Sequence, residues 1–571
     1  MVKIISGKWV TSQTITQEEV TYDIYTAKYA YTDLGVALWI DKDLTIGNAL
    51  VGGMDDDTIN RGFVIHGEMT GDRSGISVSS AGDVNGDGLD DVIVGAQYAD
   101  LNSKSNTGKS YVVFGKTNGS AINLNDIASA SGTAGFVING EQASDFSGSS
   151  VSSAGDVNGD GLDDLIVSTY GNSGIGKAHV VFGKIDSTAI NLLDVAQGTG
   201  GFVMNGTSLG ISVSGAGDVN GDGLADLIVG AWSASKSYVV FGKKGDTAAI
   251  NLSNIASASG TGGFVINSET TGDKNGRTVS FAGDVNGDGL DDLIIGAYEA
   301  DGNKGKSYVV FGKTDTGAVD LGTIGSGTGG FVINGENAQD YSGRSASYAG
   351  DVNGDGLDDL IVGAYGVNGN TGKSYVVFGK SDTNTVNLSD IAQGTGGFVL
   401  NGEKSGDLSG FSVSYAGDVN GDGLDDLIVG ADNSTKGVKG KSYVVFGTTD
   451  TTVINLGDIA QGTGGFVVDD RSANDDAGSS GSSVSYAGDV NGDGLDDLII
   501  GAYGENNSQG ESYVIFGKTD TDAINLSKLS DDSKYRIDFQ GTTGNDNLGD
   551  NTTTNKNELF VAGTGNDILT G

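Results

Sequence analysis

Cysteine and proline are absent from this chain of 571 residues, and histidine occurs only twice, at His66 and His179. Without cysteine there is no disulfide, thiolate metal site or cysteine nucleophile. Without proline there is no proline-rich linker or stalk. The sequence also lacks a His-Glu-x-x-His helix and a Walker-type phosphate loop. We therefore expect a protein that is not an enzyme.

Long apolar runs are also missing. No segment approaches the roughly 20 consecutive apolar residues that a membrane-spanning helix needs. Residues 1–8 lack the apolar stretch of about 7–15 residues that marks a Sec signal peptide. The sequence thus predicts no transmembrane segment, and an exported form would use a route without a Sec signal peptide or would have been trimmed.

Positive charge is scarce. Lys and Arg together number 32 against 75 Asp and Glu, which gives a formal net charge of −43. Such a chain repels the phosphates of nucleic acid and the surface of anionic membranes, so neither is an expected partner. The excess acid serves either solubility or cation binding, and the positions of the acidic residues decide between the two.

A repeat dominates the sequence. The string Asp-Val-Asn-Gly-Asp-Gly-Leu-x-Asp occurs seven times at intervals of 62 to 73 residues, starting at Asp83, Asp156, Asp218, Asp284, Asp351, Asp418 and Asp489. Each unit also carries four short apolar runs separated by Gly, Asn, Asp and Ser, which is the signature of strands and turns. In the first unit the runs are Ile76–Ala81, Val92–Ala96, Ser110–Phe114 and Phe136–Asn139.

The nearly continuous apolarity of these runs suits strands that are covered on both faces, as in the packed blades of a propeller. Four strands in each of seven units predict an all-β fold, a seven-bladed β-propeller of four-stranded blades. An open solenoid is the alternative, although it would expose a sheet face at each end unless capped.

Copies of the fourth strand lie at both ends of the repeat array. Residues 63–65 precede the first loop, and the weaker match 535–539 follows the last unit. We expect one of them to complete blade seven and so remove a sheet edge, and the N-terminal copy matches better. The predicted organisation is a non-repeat β segment over residues 1–60, a propeller over 61–541, and a tail rich in Gly, Asn and Asp over 542–571.

Each repeated string carries oxygen ligands at positions 1, 3, 5, 7 and 9. Calcium takes about 6–8 oxygen ligands, glycine at position 6 permits the sharp turn, and the leucine at position 7 offers its carbonyl. These hard donors favour calcium or magnesium over softer metals. We predict seven calcium sites, formed by Asp83, Asn85, Asp87, Leu89, Asp91, Asp156, Asn158, Asp160, Leu162, Asp164, Asp218, Asn220, Asp222, Leu224, Asp226, Asp284, Asn286, Asp288, Leu290, Asp292, Asp351, Asn353, Asp355, Leu357, Asp359, Asp418, Asn420, Asp422, Leu424, Asp426, Asp489, Asn491, Asp493, Leu495 and Asp497.

An EF-hand begins with the same pattern but needs a glutamate at position 12 and a following helix. Position 12 is Val or Ile in all seven copies, so the EF-hand and dockerin interpretations fail. In the third copy Ala225 replaces the aspartate at position 8, which is not a predicted ligand, so the third site should survive. The loops hold 27 of the 75 acidic residues, and seven calcium ions would reduce the net charge from −43 to −29.

The pattern Asp-x-Asn-x-Asp-Gly-x-x-Asp between two strands, followed by Leu-Ile-Val-Gly-Ala and later by Tyr-Val-Val-Phe-Gly, resembles the FG-GAP repeat of integrin α chains and related bacterial proteins. The resemblance covers roughly residues 62–541. It implies a seven-bladed propeller with structural calcium in the loops between the first and second strands of each blade. It also implies an extracellular protein that mediates adhesion or binds a protein or matrix partner.

The C-terminal tail carries a weaker pattern. Residues 541–548 and 563–569 resemble the Gly-Gly-x-Gly-x-Asp nonapeptide of RTX exoproteins. Two separated copies cannot stack into a stable β-roll, and a plain Gly- and Asn-rich tail is the alternative. The resemblance implies type I secretion, which agrees with a secreted or cell-surface location.

Other functions remain open for such a propeller. A lectin that binds glycans between blades is one, because Tyr298, Tyr365 and Tyr503 recur at the end of the second strand. A propeller hydrolase acting at the central channel and a structural surface-layer protein are the others.

For a partner site we single out Trp232. It is expected on the face opposite the calcium loops, in blade three. Both connections of that blade on this face are short, since they comprise only Thr207–Gly210 and Trp232–Lys236. The short connections predict a notch in the rim, and an aromatic residue beside a notch is a typical interface anchor.

Overall fold

The computed structural model describes residues 61–529, apart from residues 130–132, 172–175, 246, 258–259, 433–439 and 470–482. Towards the two ends of the chain it describes the backbone of seven short strands. The chain divides into a central unit, residues 60–530, and a unit formed by its two ends, and each is described by itself.

The central unit consists of seven sheets, each a blade in which four strands pair antiparallel in order. The first strands are Ser77–Gly82, Val151–Gly155, Val213–Gly217, Thr278–Gly283, Ser345–Gly350, Ser409–Gly417 and Ser483–Gly488. The second strands are Asp91–Ala96, Asp164–Thr169, Asp226–Ala231, Asp292–Ala297, Asp359–Ala364, Asp426–Ala431 and Asp497–Ala502. The third strands are Lys109–Val113, Lys177–Val181, Lys236–Val240, Lys306–Val310, Lys373–Val377, Lys441–Val445 and Glu511–Ile515. The fourth strands are Gly135–Asn139, Gly201–Asn205, Gly263–Asn267, Gly330–Asn334, Gly397–Asn401, Gly465–Asp469 and, for blade seven, Gly62–His66. The predicted seven-bladed propeller is confirmed, and the four runs predicted for the first unit agree with the strands to within one residue.

A fifth, two-residue strand extends every blade, which the sequence did not predict. It comes from the following repeat and pairs parallel with the fourth strand. In blade order these strands are Ile190–Asn191, Ile250–Asn251, Val319–Asp320, Val386–Asn387, Ile454–Asn455, Ile524–Asn525 and Ile122–Asn123. A helical turn follows each, over Leu192–Val195, Leu252–Ile255, Leu321–Ile324, Leu388–Ile391, Leu456–Ile459, Leu526–Leu529 and Leu124–Ala128. Apolar residues of these turns, such as Leu192 and Val195, are buried against the blade.

Ring closure uses the N-terminal copy of the fourth strand, as predicted. Gly62–His66 pairs antiparallel with Glu511–Ile515 of blade seven. Phe63 of this closing strand then packs in one cluster with Val92 and Val94 of blade one. The C-terminal candidate instead places Ile537–Gln540 in a parallel pair with another segment of the tail. Blade seven is therefore built from both ends of the repeat array, which joins the last blade to the first.

The hydrophobic core is divided into seven clusters, one between each pair of neighbouring blades. All six residues of every second strand are buried, which explains why these strands are apolar at successive positions. The first strands of adjacent blades contact one another around the whole ring, so they line its centre. Because the strands alternate in direction, the connections between first and second strands lie on one face, which we call the loop face. The connections between second and third strands and between blades lie on the opposite face.

The ends of the chain contain separate small sheets. Trp9–Gln17, Val20–Ala27 and Ala37–Asp41 form a three-stranded antiparallel sheet, which agrees with the strands expected there. In the tail, Ile537–Gln540 pairs with Leu559–Val561 and Asn547–Gly549 pairs with Ile568–Thr570. Most of the Gly-rich segments that resemble RTX repeats lie outside the described residues, so that interpretation stays a prediction. In the part of the chain that the structure describes, no helix combines the length and apolar character needed to cross a membrane.

Candidate metal centres and the opposite face

The seven repeated strings form seven tight loops on the loop face, each joining a first strand to a second. In blade one the chain turns through Gly86 and Gly88, whose φ angles of 76° and 88° lie in the left-handed region. Residues with a Cβ rarely adopt this region, which explains the glycine at these two places. The turn brings the side chains at positions 1 and 5 next to the backbone amides of positions 4 to 7.

The first aspartate organises each loop. In blade one, Asp83 Oδ1 accepts hydrogen bonds from the amides of Gly86 (2.7 Å) and Asp87 (3.0 Å), and its Oδ2 accepts one from Gly88 (2.9 Å). Asp87 Oδ1 accepts a further bond from Leu89 N at 3.0 Å. The other six loops repeat these bonds. A carboxylate has about four acceptor positions, so these oxygens keep lone pairs for a further ligand.

The aspartate at position 9 of each loop is the first residue of the second strand, and it is fully buried. Asp91 Oδ1 accepts from Gly115 N at 2.8 Å, and both of its oxygens lie within 3.3 Å of Asn85 Nδ2. Burial, followed by the nearby charges of Asp87 and Asp83, raises the pKa of Asp91 to about 8. The same causes raise the pKa of its counterparts to about 7 or about 8, at Asp164, Asp226, Asp292, Asp359, Asp426 and Asp497.

The donor set of each loop fits a hard cation by its chemistry. It consists of oxygen donors, three of them carboxylates, and none of the ion pairs between described residues gives a loop aspartate a Lys or Arg partner. Within the described residues no three Asp, Glu or His side chains already converge closely enough to hold an ion. The order and type of the residues, and a buried carboxyl group with no Lys or Arg partner among the described residues, are thus the observations that support a metal.

The eighth position has a role that the sequence did not predict. Its carboxylate reaches the loop of the preceding blade and accepts a hydrogen bond from the amide of that loop's first aspartate. Asp358 Oδ2, for example, lies 2.7 Å from Asp284 N. The same bond recurs at 2.6 to 3.0 Å in five other seams, one of which is the closing seam, where Asp90 bonds to Asp489. The loop face therefore carries a ring of hydrogen bonds between blades.

Ala225 interrupts this ring. Its backbone amide still bonds to Asp156 O at 3.2 Å, as its counterparts do elsewhere, but no described side chain accepts from Asp156 N. The seam between blades two and three is thus the one described seam without this bond. Position 8 acts on the neighbouring loop, and that Ala225 leaves its own site intact stays a prediction.

On the opposite face a second set of contacts joins neighbouring blades. A glutamate that follows the fourth strand reaches the third strand of the next blade, where its carboxylate bridges a lysine and a tyrosine two residues apart. Glu336 accepts from Lys373 Nζ at 3.3 Å and from Tyr375 Oη at 2.6 Å. Glu68, Glu269 and Glu403 bridge the corresponding pairs in blades one, four and six.

The pKa of Glu141, Glu269, Glu336 and Glu403 is lowered, so these carboxylates are held in the charged form. Burial alone would raise the pKa of Glu403, but hydrogen bonds from Lys404, Lys441 and Tyr443 outweigh it and bring the pKa to about 2. In blade two a histidine takes the place of the tyrosine, and His179 Nε2 lies 2.8 Å from Glu141 Oε1. Burial lowers the pKa of His179, which keeps its ring neutral, and its Nδ1 has no hydrogen-bond partner.

Blade three departs from this pattern. Thr207 stands where the glutamate occurs in other blades, and it is exposed. Tyr238 is partly exposed, whereas its counterparts Tyr111, Tyr308 and Tyr375 are 0 to 1% exposed. Burial alone raises the pKa of Tyr238, and no carboxylate contributes. No described side chain pairs with Lys236.

Trp232 lies in the short turn Trp232–Ala234 between the second and third strands of blade three. Lys274, from the connection to blade four, places its ammonium 4.4 Å from the centre of the indole ring. The indole Nε1 is buried and has no hydrogen-bond partner among the described residues. The ring is partly exposed, so it is packed against a neighbouring blade and still accessible.

Aromatic residues continue along this face in blades four to six. Tyr341 stacks on Tyr365 with ring centres 5.2 Å apart and planes 8° apart. Tyr298 lies 6.4 Å from Tyr341, and Phe411 lies 5.7 Å from Tyr365. Arg344 covers Phe411 at 4.8 Å. Two of the three tyrosines that suggested a lectin thus belong to one packed aromatic series.

The fold and its loops define a seven-bladed β-propeller made of FG-GAP repeats. Seven segments match the FG-GAP repeat, and each spans the first three strands of one blade, at residues 74–113, 147–181, 209–240, 275–320, 343–377, 410–445 and 480–515.

Among individual proteins, the chain is similar to integrin α chains. It is 31% identical to integrin alpha-IIb of Mus musculus over 181 residues, which cover 31% of this chain and 16% of that protein. It is 34% identical to integrin alpha pat-2 of Caenorhabditis elegans over 180 residues, 30% of this chain and 13% of that one. It is 30% identical to integrin alpha-5 of Xenopus laevis over 230 residues, 39% and 19% of the two chains. The chain thus matches less than a fifth of the length of these relatives.

Proposed function

We propose that the chain is an extracellular propeller stabilised by calcium that binds a protein or matrix partner, in the manner of an adhesion protein, through the face opposite the loops. The similarity to integrin α chains supports the class of function. Secretion or cell-surface display without a Sec signal peptide is part of the same proposal. No catalytic group is assigned, because the acidic residues of the loops are accounted for as ligands.

One observation carries the calcium proposal: seven loops combine an oxygen-only donor set in sequence with a buried aspartate that has no Lys or Arg partner among the described residues. The ligands in each loop would be positions 1, 3, 5 and 9 and the carbonyl of position 7. A bound calcium would supply the missing positive charge and tie the loop to its blade. Extracellular calcium modules commonly bind at about 10⁻⁴–10⁻³ M, which suits such open surface loops.

Thermal unfolding in EDTA and in millimolar calcium tests this part. Binding to the folded state alone adds about 2.7 kcal/mol per site when the free calcium reaches 100 times Kd. We expect a large rise in Tm with calcium and a much smaller rise with the same concentration of sodium chloride. An unchanged Tm between EDTA and calcium would contradict the proposal.

Trp232 is the proposed anchor of the partner site. Aromatic anchors in desolvated pockets dominate many interfaces, and the partly exposed Trp232 offers a partner an apolar surface. A panel of matrix proteins and a glycan array, probed with the calcium-loaded chain, would first identify a ligand.

Trp232→Ala should then weaken binding by more than about 1 kcal/mol without changing the calcium-bound Tm. Tyr298→Ala is the matched control, because Tyr298 holds the equivalent position in blade four. Unchanged affinity for Trp232→Ala, or lost stability instead, would reject Trp232 as the anchor.

A calcium-stabilised lectin is the second candidate. The stacked series of Tyr298, Tyr341 and Tyr365 supports it, because aromatic faces are common platforms for sugars. Saturable binding of defined glycans that is lost in Tyr365→Ala and kept in Trp232→Ala would favour the lectin over the protein-binding function.

A further inference from the structure

The contacts between blades reveal which chemical group the opposite face is built to hold. In blades one, two, four, five and six a glutamate carboxylate sits between the lysine that begins the third strand and the tyrosine or histidine two residues later. Blade seven keeps the carboxylate but carries it on the third strand itself, where Glu511 Oε2 accepts from Tyr513. Six of the seven blades therefore place a carboxylate at this position.

Blade three has the donors without the carboxylate. Lys236 and Tyr238 lie in the same strand register as the bridged pairs, opposite Ala231 and Val229. In blade three, Thr207 takes the place of the glutamate in the connection between blades. This connection is short and ends at Gly210, after which the chain enters blade three. Both Lys236 and Tyr238 are partly exposed, and neither has a side-chain partner among the described residues. The short connection thus uncovers an ammonium and a phenol that the fold elsewhere pairs with a carboxylate.

We propose that Lys236 and Tyr238 form a recognition site for a carboxylate, filled by an Asp or Glu side chain of a partner protein. This inference deepens the proposed binding function, on which it rests, by naming the partner group that blade three recognises. Blades one, four, five and six show that the same two donors hold a carboxylate through one of its oxygens, and blade two does so with a histidine in place of the tyrosine. We expect the carboxylate to come from a side chain of the partner. In the other blades the carboxylate is likewise a side chain, carried on a backbone segment that crosses this face.

The electrostatics of the site are local. The chain carries a formal charge of −43, which would repel an acidic partner at long range. Screening limits that repulsion to about 8 Å at physiological salt, whereas a lysine and a phenol that bond a carboxylate directly act within about 3 Å. A charge-assisted bond from an ammonium is also stronger than a bond between neutral groups. An isolated acidic side chain on an otherwise neutral or basic segment is therefore the expected ligand.

Binding of short peptides to the calcium-loaded full chain, followed by ligand-observed NMR, tests the site without any identified partner. The probe is acetyl-Gly-Glu-Gly-amide, and its control is the peptide with Gln in place of Glu. We expect the Glu peptide to bind about tenfold more tightly than the Gln peptide, since a tenfold ratio needs only one charge-assisted bond. Lys236→Met and Thr207→Glu should each remove this preference, the latter because it supplies the missing carboxylate from within. Thr207→Glu should also raise Tm.

Matched controls separate the site from the rest of the surface. Lys306→Met, in blade four, should leave the peptide preference unchanged, because Glu269 already occupies the equivalent position. Equal binding of the Glu and Gln peptides to the unmodified chain, or an undiminished preference in Thr207→Glu, would overturn the proposal. If acetate bound as tightly as the Glu peptide, the site would be one for small carboxylates. That result would overturn the proposal that a partner protein supplies the carboxylate. Trp232→Ala should not change the binding of the peptides. The experiment therefore distinguishes a failure of the carboxylate site from a failure of Trp232 as the anchor of the partner site.

Discussion

Replacing two neighbouring aspartates of blade five, one at a time, separates the calcium ligand from the contact between blades. Asp359 is fully buried and accepts hydrogen bonds from Gly379 N at 2.8 Å and from Asn353 Nδ2 at 3.2 and 3.0 Å. Asp358 instead accepts from Asp284 N in blade four at 2.7 Å and from Tyr348 Oη at 3.3 Å. The two side chains therefore act on different loops.

The expected magnitudes follow from these bonds. Each buried group left without its partner costs about 1–3 kcal/mol, so both alanine variants should be less stable in EDTA. Asp359→Ala should lose in addition the calcium contribution of one site, about 2.7 kcal/mol at 100 times Kd. Asp358→Ala should keep that contribution, because its carboxylate does not face its own loop.

Equilibrium dialysis with radioactive calcium, together with urea unfolding with and without calcium, measures both effects. Asp359→Ala should bind one ion fewer than the unmodified chain, and Asp358→Ala should bind the same number. Asp359→Asn serves as the control that keeps the shape of the side chain. Equal loss of calcium from Asp358→Ala and Asp359→Ala would refute the assignment of ligands by position.

Two further predictions concern the seams between blades. Ala225→Asp restores an acceptor for Asp156 N, so we expect it to raise the free energy of unfolding by about 1 kcal/mol. Urea titrations with calcium measure this change, and a destabilised variant would contradict the role given to position 8. Burial lowers the pKa of His179 in the folded chain, so the unfolded chain binds the additional proton and stability falls as the pH drops below about 6.5. His179→Tyr, which reproduces the pair found in blade four, should remove up to about 1.4 kcal/mol of that loss per pH unit. Unfolding curves of both proteins at pH 7.5 and 5.5 measure the difference, and parallel pH dependence would argue against a neutral buried histidine.

The sequence was sufficient for the architecture because each repeat encodes its own blade. Apolar runs, Gly-rich turns and the seven-fold count predicted the strands to within a residue, and the better match of residues 63–65 predicted how the ring closes. These signals are local, since burial on both faces of a strand requires apolar residues at successive positions.

Contacts between blades could not be predicted in the same way, because each contact also depends on the residues of the neighbouring repeat. The aspartate at position 8 was predicted only not to be a ligand, yet it bonds to the preceding loop. The bridge from Glu336 to Lys373 and Tyr375 joins residues 37 and 39 apart. A signal was present in the recurrence of Gly-Glu after the fourth strand and of Lys-Ser-Tyr in the third, and its interruption at Thr207 marks the uncovered site in blade three.

The number of calcium ions bound by the full chain is the most direct test of the account. Flow dialysis of chain stripped with EDTA and returned to saturating calcium should count about seven ions per chain, one for each loop from Asp83 to Asp489. The count should fall by one for each ninth-position aspartate replaced by alanine. A count of none or one, with the fold intact by circular dichroism, would contradict the claim that the repeated loops are calcium sites.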